Sequence, residues 1–437
     1  MGKKSWLYKR KILAIQIFNI LWKKANKVGF FHLLSANLLL QIAGFGGQIF
    51  LTRILSVEDI GRIKILQSFL GIAVIVAGLG LNVAILKCCS EEIDGKRKML
   101  LFSNGFKMTI IFSVFTTIIL MSLIPIQVFS NDKITNTSMI YYMMQIPFLV
   151  INNFCIFYLQ SQKKIKAMSK VQSISKVIVI VVSTITAYFS GLYGYVLGIV
   201  LSNAITMLLS ISLIKFEIRN SIKDSLKKSI VTDMFKIGVF SLLSNLVGQL
   251  IFSLNVLILS YIVNDNQTIG YYGVAQMLLT SLMIIPNTLN QIMIPYISAK
   301  SKEIVEVQKM LKKYEKKMKV LVMLLVVSMY FLVPIFIPFV FGTNYSESII
   351  YFRILLIGML FWGIYSPKGI TLVSIGRVDF NFYVSMGTLI INIILNVVLI
   401  MKYGVIGAAL ATTLTYLFTI FVNNYFYKKA LIRQYKL

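Results

Sequence analysis

Five basic side chains that fall inside or at the margins of long apolar stretches are the residues of this sequence best suited to chemistry. They are Arg53, Lys64, Lys176, Arg353 and Lys368. A basic residue at the centre of a bilayer costs at least about 2.5 kcal/mol, so it normally faces a cavity or a partner. All 15 Asp and Glu residues fall in predicted loops or at the ends of apolar stretches, which leaves an anionic ligand as the natural partner. The alternative is that these long side chains snorkel to lipid headgroups.

Other kinds of chemistry find little support. The three cysteines, Cys88, Cys89 and Cys155, show no CxxC spacing, so neither a disulfide framework nor a zinc site is indicated. His32 is the only histidine, and no phosphate-binding loop of the GxxxxGK[ST] type occurs. We therefore expect no catalytic residue, no metal and no cofactor.

The composition is that of a polytopic membrane protein. Of 437 residues, 57% are hydrophobic and only 14% charged, and the mean hydropathy is +0.81, far from the values of soluble domains. A helix needs about 20 apolar residues to cross a bilayer, and backbone at membrane depth must be hydrogen bonded, which favours an all-α bundle. The predicted spans are 31–54, 64–86, 104–127, 138–160, 168–189, 192–214, 236–263, 269–297, 319–341, 348–372, 379–401 and 404–427.

The net charge of +29 is sorted by side of the membrane. With twelve spans, one side holds all but six of the 44 lysine and arginine residues. The six on the other side are Arg53, Arg62, Lys64, Lys133, Arg353 and Lys402. Cytoplasmic loops are enriched in Lys and Arg, so both termini are predicted to be cytoplasmic. The charge then needs no nucleic-acid partner to explain it.

Three basic segments are expected at the cytoplasmic surface. Residues 1–30 contain the apolar run Ile12–Trp22 followed by lysines, which predicts an interfacial helix. Residues 215–235 and 304–318 are amphipathic, with apolar residues recurring at threes and fours. Such helices would lie on anionic membrane lipids, and contact with a partner protein is the alternative.

Short motifs recur between the two halves of the chain. The polar linker SVEDIG at 56–61 matches DNQTIG at 265–270, and Gly191 and Gly194 match Gly404 and Gly407. The alternative is chance similarity between apolar helices. The repeat predicts six-helix bundles at 31–214 and 236–427, joined by a cytoplasmic amphipathic linker at 215–235 and followed by a cytoplasmic tail at 428–437. Parallel repeats of this kind are typical of transporters with a substrate site between the halves.

Two spans carry polar stripes that are expected to face each other across a central cavity. The first has Asn37, Gln41, Gly44 and Gln48 on one helical face, and the seventh has Ser241, Ser244, Asn245, Gly248 and Asn255. The alternative for both stripes is helix packing, because small and polar residues let helices approach closely in a membrane.

The motifs resemble a known family. TRILSVEDIGRIKILQSFLGIAVIVAGLGLNVAILK at 52–87, IGYYGVAQ at 269–276, GLYGYVLG at 191–198 and YGVIGAALAT at 403–412 are similar to the polysaccharide transporter family, the Wzx-type flippases of O-antigen and capsule repeat units. These belong to the multidrug/oligosaccharidyl-lipid/polysaccharide (MOP) superfamily. The resemblance implies a MATE-like fold of two six-helix bundles around a cavity. It also implies transfer of a polyprenyl-pyrophosphate-linked oligosaccharide to the outer leaflet of a bacterial plasma membrane, without covalent chemistry.

The resemblance also makes other polysaccharide assembly proteins candidate partners, and it leaves three alternatives for the function. Cation exporters resemble this chain in fold but depend on carboxylates inside the membrane, which the spans lack. Lipid II flippases are similar in substrate chemistry but typically carry two further helices, which do not follow residue 427. A membrane-embedded transferase or polymerase of the same pathway would be expected to show acidic metal-binding or catalytic residues near the membrane surface.

The resemblance makes the pyrophosphate the expected ligand of the embedded cations. We predict that Lys176 and Arg353 together attract it, with Arg53, Lys64 and Lys368 as further candidates. The amides of Gln41, Gln48, Asn245 and Asn255 are the remaining candidates for substrate binding.

Overall fold

The computed structural model describes residues 44–90, 94–127, 129–214 and 228–435, and in these ranges the chain is helical without any strand. Gln41 and the predicted interfacial segment 1–30 lie outside them. The helices of the first half are α1 at 44–54, α2 Val57–Gly78, α3 Leu81–Ser90, α4 Gly95–Leu123, α5 Lys133–Met143, α6 Ile146–Ser161 and α7 Ile165–Ser212. Those of the second half are α8 Lys228–Ile262, α9 Asn266–Leu282, α10 Ile284–Ser298, α11 Ile304–Val340, α12 Ser348–Ser374 and α13 Val378–Tyr435.

The number of membrane crossings agrees with the sequence. Among the described residues eight helices are long and apolar enough to cross, or nine when the α5–α6 pair, bent by 41°, counts as one span. Two of the eight, α7 and α13, are each broken once in the middle and cross twice. With α1, where the first predicted span ends, this confirms an all-α membrane protein of about twelve spans.

The break in α7 is a tight helical hairpin. Gly191 has φ +59°, a left-handed conformation that favours glycine. A Cβ on Gly194 would lie 2.0 Å from the carbonyl oxygen of Thr186, and one on Gly198 would lie 1.9 Å from the Thr186 hydroxyl. In a straight helix residues 186 and 198 would be roughly 18 Å apart. The chain therefore reverses at Gly191, and glycines let the two arms pack backbone to backbone.

The break in α13 repeats this geometry. Gly404 has φ +56°, and a Cβ on Gly407 would lie 2.0 Å from the carbonyl oxygen of Leu399. Gly404 and Gly407 are the residues that the sequence repeat matches to Gly191 and Gly194. The turn into the last span of each half is thus built in the same way.

A reciprocal backbone contact joins the two halves where α2 and α9 begin. A Cβ on Gly61 would lie 1.9 Å from the carbonyl oxygen of Asn266, and a Cβ on Gly270 would lie 2.1 Å from that of Val57. In the repeat, Gly61 corresponds to Gly270 and Val57 to Asn266. Each helix thus places its glycine against the first turn of the other, as expected for two helices related by a pseudo-two-fold axis.

Polar contacts reinforce the same end of the molecule. Arg53, near the end of α1, donates from Nε to the carbonyl oxygen of Val340 at 2.9 Å and from Nη2 to that of Phe339, and so caps the C-terminus of α11 in the other half. Arg62 of α2 pairs with Asp59 at 2.7 Å and with Asp132 at 2.9 Å. Burial alone would raise the pKa of Asp132, but hydrogen bonds from Thr135 and Arg62 lower it below its ordinary value. We call this end, with its glycine crossing, the closed end.

The buried apolar residues form three clusters. One large cluster contains buried residues of both halves, among them Ile65 and Leu66 of α2 and Val274 of α9. A second cluster packs α3, α4 and α6 with the first turns of α8, and a third packs the start of α11 with the ends of α12 and α13. The halves therefore share a large core beside the crossing, and the first turns of α8 also pack against the first half in the second cluster.

The predicted polar linkers prove to be helix starts. Ser56 caps α2 by accepting a hydrogen bond from the Asp59 amide at 3.1 Å, so Glu58 and Asp59 occupy its first turn. Asp265 caps α9 by accepting from the Gln267 amide at 3.0 Å. Acidic residues are stabilised at a helix N-terminus by the helix dipole. The expectation of a loop over 56–61 was therefore wrong, and the second span begins at Val57.

The amphipathic segment 304–318 does not lie on a membrane surface. It is the first part of α11, and its apolar residues Val307 and Leu311 are buried against Ile297 and Phe380 of the same half. Its apolar face is thus covered by protein, while the lysines on the opposite face are exposed. Of the predicted linker 215–235, residues 228–235 belong to α8, and 215–227 lie beyond the described ranges.

Substitution of the crossing glycines tests the closed end. Because a Cβ at either position would overlap a backbone oxygen, we expect Gly61→Ala and Gly270→Ala to destabilise the protein by about 1–3 kcal/mol. Gly248→Ala is the matched control, since a Cβ there meets nothing within 4 Å. The measurement is thermal unfolding of the purified protein in detergent. Equal stability of all three variants would contradict the crossing.

Candidate functional site

The largest interior space lies in the first half and has a volume of about 710 Å³. We call it the N-half cavity. Its walls come from α1, α5, α6, both arms of α7, and the facing parts of α9 and α10. Its polar lining residues are Gln48, Gln145, Asn152, Gln172, Ser175, Lys176, Asn203, Thr206, Thr280 and Ser281. It brings together two of the residues predicted from sequence, Gln48 and Lys176.

Lys176 is the one charged side chain among the described residues that line this cavity. It shares a helical face with Gln172, Ser175 and Val179, as their spacing of three and four residues requires. Its side chain is exposed to the cavity and passes Gly44, where a Cβ would lie 3.0 Å from its Cε. It has no hydrogen bond or ion pair with any residue that the structure describes.

A smaller space of about 170 Å³ lies between the halves. We call it the central pocket. Lys64 lines it together with four amide side chains, Gln48, Gln67, Gln249 and Gln276. The stem of Lys64 packs on Gly273 of α9, with Cγ 2.6 Å from where a Cβ would lie. Like Lys176, Lys64 forms no ion pair or hydrogen bond within the described ranges.

A third space of about 280 Å³ lies in the second half. We call it the C-half cavity. Asn255 lines it, and its side-chain amide donates to the Tyr272 hydroxyl at 2.9 Å and to Thr412 Oγ1 at 2.7 Å. No charged side chain is among its lining residues.

The three spaces adjoin one another. Gln48, Met277 and Thr280 line both the N-half cavity and the central pocket, while Phe252, Gln276 and Thr280 line both the central pocket and the C-half cavity. Together they form an interior that extends from one half to the other. Among the described residues that line it, the charged ones are Lys64 and Lys176, which are both cationic and both in the first half.

Two of the basic residues predicted to bind substrate, Arg53 and Lys368, form hydrogen bonds with other groups of the protein. Arg53 caps α11 at the closed end, as described above. Lys368 donates to Asn424 Oδ1 at 2.5 Å and lies 3.7 Å from Glu315 Oε1. The expectation that Lys368 lacks a carboxylate partner was wrong, because α11 begins well before its apolar part and brings Glu315 to α12.

Arg353 is not placed with Lys176. It stacks over the ring of Tyr330 at 4.6 Å and approaches the Tyr330 carbonyl oxygen at 3.5 Å. It lines none of the three adjoining spaces. The structure therefore does not bring Arg353 together with Lys176, and the predicted cation that lies nearest to the N-half cavity is Lys64, in the central pocket.

The polar stripe of α8 is divided between two places. Asn245 donates to Ser241 at 3.3 Å and lines a separate space of about 80 Å³ with Asn82, Thr109 and Asn153. Asn255 lies in the C-half cavity. The two predicted stripes thus do not face each other along their whole length.

Several lining residues were missed by sequence reasoning. Asn203 donates to Gln145 Oε1 at 2.7 Å in the wall of the N-half cavity, and the lining residue Asn152 accepts a hydrogen bond from Ser210 behind it. A polar stripe at Asn203, Thr206 and Ser210 follows helical spacing and was a usable signal. The partners on other helices carry no such local signal.

The lining of the interior suits an anionic ligand that forms hydrogen bonds. Within the described residues no group of three or more His, Cys, Asp or Glu could hold a metal ion. Unpaired ammonium groups favour an anion, and the surrounding amides and hydroxyls favour a ligand rich in hydrogen-bonding groups.

The different surroundings of two lysines predict different effects on stability. We expect Lys368→Ala to destabilise the protein by about 1–3 kcal/mol, because it leaves a largely buried carboxylate unpaired. Lys176→Ala should lie within about 0.5 kcal/mol of the wild type, since it breaks no hydrogen bond or ion pair with a described residue. The check is thermal unfolding in detergent. Glu315→Gln should recover part of the loss in the Lys368→Ala background, and equal effects of the two lysine variants would refute this assignment.

Solved structures with the same fold are membrane transporters. The lipid II flippase MurJ in an inward closed conformation has a TM-score of 0.72 at 18% identity, covering 92% of this chain and 91% of that one. An inward-facing MATE family multidrug resistance transporter of the MOP superfamily has a TM-score of 0.76 at 14% identity, covering 91% and 96%. At these identities the likeness concerns the fold, and it confirms the MOP-type architecture.

Sequence comparison gives the family. CapF of Staphylococcus aureus, a capsular polysaccharide biosynthesis protein, is 28% identical over 166 residues, which are 37% of this chain and 41% of CapF. The chain spans less than half the length of the curated relatives it matches. A family model described as polysaccharide biosynthesis protein matches residues 27–301, more than half of the chain. This multi-pass membrane protein therefore belongs to the polysaccharide biosynthesis protein family.

Proposed function

We propose that this protein is a flippase for polyprenyl-pyrophosphate-linked oligosaccharide repeat units of an O-antigen or a capsular polysaccharide. It moves them from the cytoplasmic to the outer leaflet of a bacterial plasma membrane by alternating access, without covalent chemistry. The observation that carries the proposal is the pair of lysines, Lys64 and Lys176, which line adjoining polar spaces and have no hydrogen bond or ion pair with a described residue.

The lysines support an anionic substrate on energetic grounds. A charge held away from bulk water is costly unless a counter-charge accompanies it. The lining residues of the three spaces include no carboxylate. A pyrophosphate brings the missing negative charge, and its interaction with both ammonium groups is strengthened where water is excluded.

The closed end supports a direction of transport. If both termini are cytoplasmic, as the distribution of Lys and Arg favours, then α2 and α9 begin on the outer side. The interior is then closed to the outside and faces the cytoplasm, where a sugar–lipid precursor is assembled. Release would require separation of the glycine crossing and of Arg53 from the end of α11.

The alternatives fit the interior less well. Export of a cationic drug is disfavoured by two unpaired lysines and no carboxylate. A transferase or polymerase is disfavoured because no acidic cluster lies among the described residues. A lipid II-type or other lipid-linked precursor flippase stays the runner-up, because its substrate has the same pyrophosphate head and MurJ has the same fold.

Deletion of the gene tests the proposed function. We expect complete lipid-linked repeat units to accumulate on the cytoplasmic face, since assembly continues while translocation stops. Mass analysis of extracted lipids reads this out and also identifies the sugar. A truncated saccharide in its place would indicate a transferase, and accumulated lipid II would indicate the runner-up.

Point variants test the role of the two lysines. Lys64→Gln and Lys176→Gln should each reduce surface polysaccharide severalfold at wild-type membrane levels, because each removes one charge that faces the diphosphate. Lys313→Gln is the matched control, since Lys313 is exposed on the outer face of α11. Surface polysaccharide is compared in the complemented deletion strain. Normal export by both interior variants would refute this role.

A further inference from the structure

The C-half cavity differs in chemistry from the rest of the interior. It is lined by amides, hydroxyls and aromatic rings without a charged side chain. The two lysines have no charged counterparts in the repeat, because Lys64 corresponds to Gly273 in the second half and Lys176 to Leu389. A diphosphate therefore has its counter-charges on one side of the interior only.

The polar groups of the C-half cavity are held in a fixed arrangement. The side-chain amide nitrogen of Asn255 is occupied by Tyr272 and Thr412, and the hydroxyl of Thr412 donates to the Ala408 carbonyl oxygen at 3.0 Å. Across the cavity, the Asn392 amide donates to Thr415 Oγ1 at 3.3 Å. Both asparagines are thereby oriented through their nitrogen atoms.

Two hydrogen-bond acceptors in this arrangement lack a protein partner. Oδ1 of Asn255 and Oδ1 of Asn392 are buried and accept no hydrogen bond from a described residue. The two side chains are 3% and 1% exposed, and both line the cavity. An unsatisfied buried acceptor costs about 1–3 kcal/mol, so the cavity favours a ligand that brings hydrogen-bond donors.

Aromatic rings complete the lining. Tyr272, Tyr416 and Phe252 all contribute to the cavity wall. A sugar ring offers hydroxyl donors at its edge and apolar C–H groups on its faces, which pack on aromatic rings. The volume of about 280 Å³ lies near the lower end of the roughly 300–1,000 Å³ usual for small-molecule sites, which suits one or two sugar rings.

We propose that the C-half cavity is a carbohydrate subsite, which binds an uncharged sugar of the substrate while the diphosphate lies at Lys64 and Lys176. The inference rests on the proposed function and goes further, because it gives the glycan and the head group separate places. Thr280, which lines all three spaces, marks the path between them.

The test compares two ligands that differ only in the sugar. The probes are lipid-linked repeat unit extracted from the deletion strain and sugar-free undecaprenyl pyrophosphate, each titrated into purified full-length protein in detergent. Asn392→Ala removes one unpaired acceptor and Tyr416→Leu removes one ring. We expect each to weaken binding of the glycan-bearing probe about two- to tenfold. This is the loss in affinity that corresponds to one hydrogen bond or one ring contact. Binding of the sugar-free probe should be unchanged.

A matched variant separates binding from folding. Asn423→Ala removes an equally buried asparagine on α13 that also has an unpaired Oδ1 but does not line the cavity. It should leave the affinity for both probes at the wild-type value. Thermal unfolding of every variant checks that the binding measurements refer to folded protein.

The remaining outcomes overturn the proposal in distinguishable ways. If the cavity variants bind both probes as the wild type does, the subsite is refuted while the proposed function stands. If wild-type protein binds neither probe, the proposed function fails and the subsite fails with it. If the variants change only the dependence of binding on Na⁺ or K⁺, the orphan oxygens hold a cation, and the carbohydrate subsite is again refuted.

Discussion

The close contact of α2 and α9 at two glycines determines the arrangement of the interior. Because Gly61 and Gly270 have no side chain, the helices meet backbone to backbone and the halves are sealed at one end. The residue three positions further along each helix lies on nearly the same face. Lys64 therefore lies one turn from the crossing, against Gly273 of the other helix. A side chain larger than hydrogen at the crossing would separate the helices and move the lysine away from the amides around it.

The internal repeat relates the two halves by symmetry. The charge of the proposed substrate site comes from a departure from that symmetry. Gly273 occupies the position that corresponds to Lys64, and the lysine stem fills the room that this glycine leaves. Two lysines at equivalent positions would repel each other across the pseudo-axis, since like charges at short range in a low dielectric are strongly unfavourable. One lysine opposite one glycine makes the lining of the interior cationic in the first half and neutral in the second half. A ligand with an anionic head and a neutral glycan matches this polarity, which a symmetric interior would not provide.

The sequence predicted features set by local backbone chemistry better than those set by tertiary contacts. Gly191 and Gly404 marked the two hairpins correctly because a left-handed turn between apolar runs is a local property. Lys368 was misjudged because its partner Glu315 is 53 positions away, on a helix that extends further than its apolar stretch. Segment 304–318 was misjudged because an apolar stripe predicts burial without saying whether lipid or protein covers it. The joining of Gln48, Lys176 and Asn203 in one cavity likewise depends on helix packing that no short motif encodes.

The contacts that seal the closed end are of a kind that can be broken and re-formed. Glycine crossings rest on van der Waals contact, and Arg53 holds α11 through backbone carbonyl oxygens, which the hydration of an exposed helix end can replace. Two conformations interconvert readily when they differ by only a few kcal/mol. A ligand shifts that balance only through unequal affinity for the two states. In the proposed function, an anion that neutralises Lys64 binds beside the crossing, where the halves would separate. The charge of the substrate and the opening of the closed end would then be coupled through this one residue.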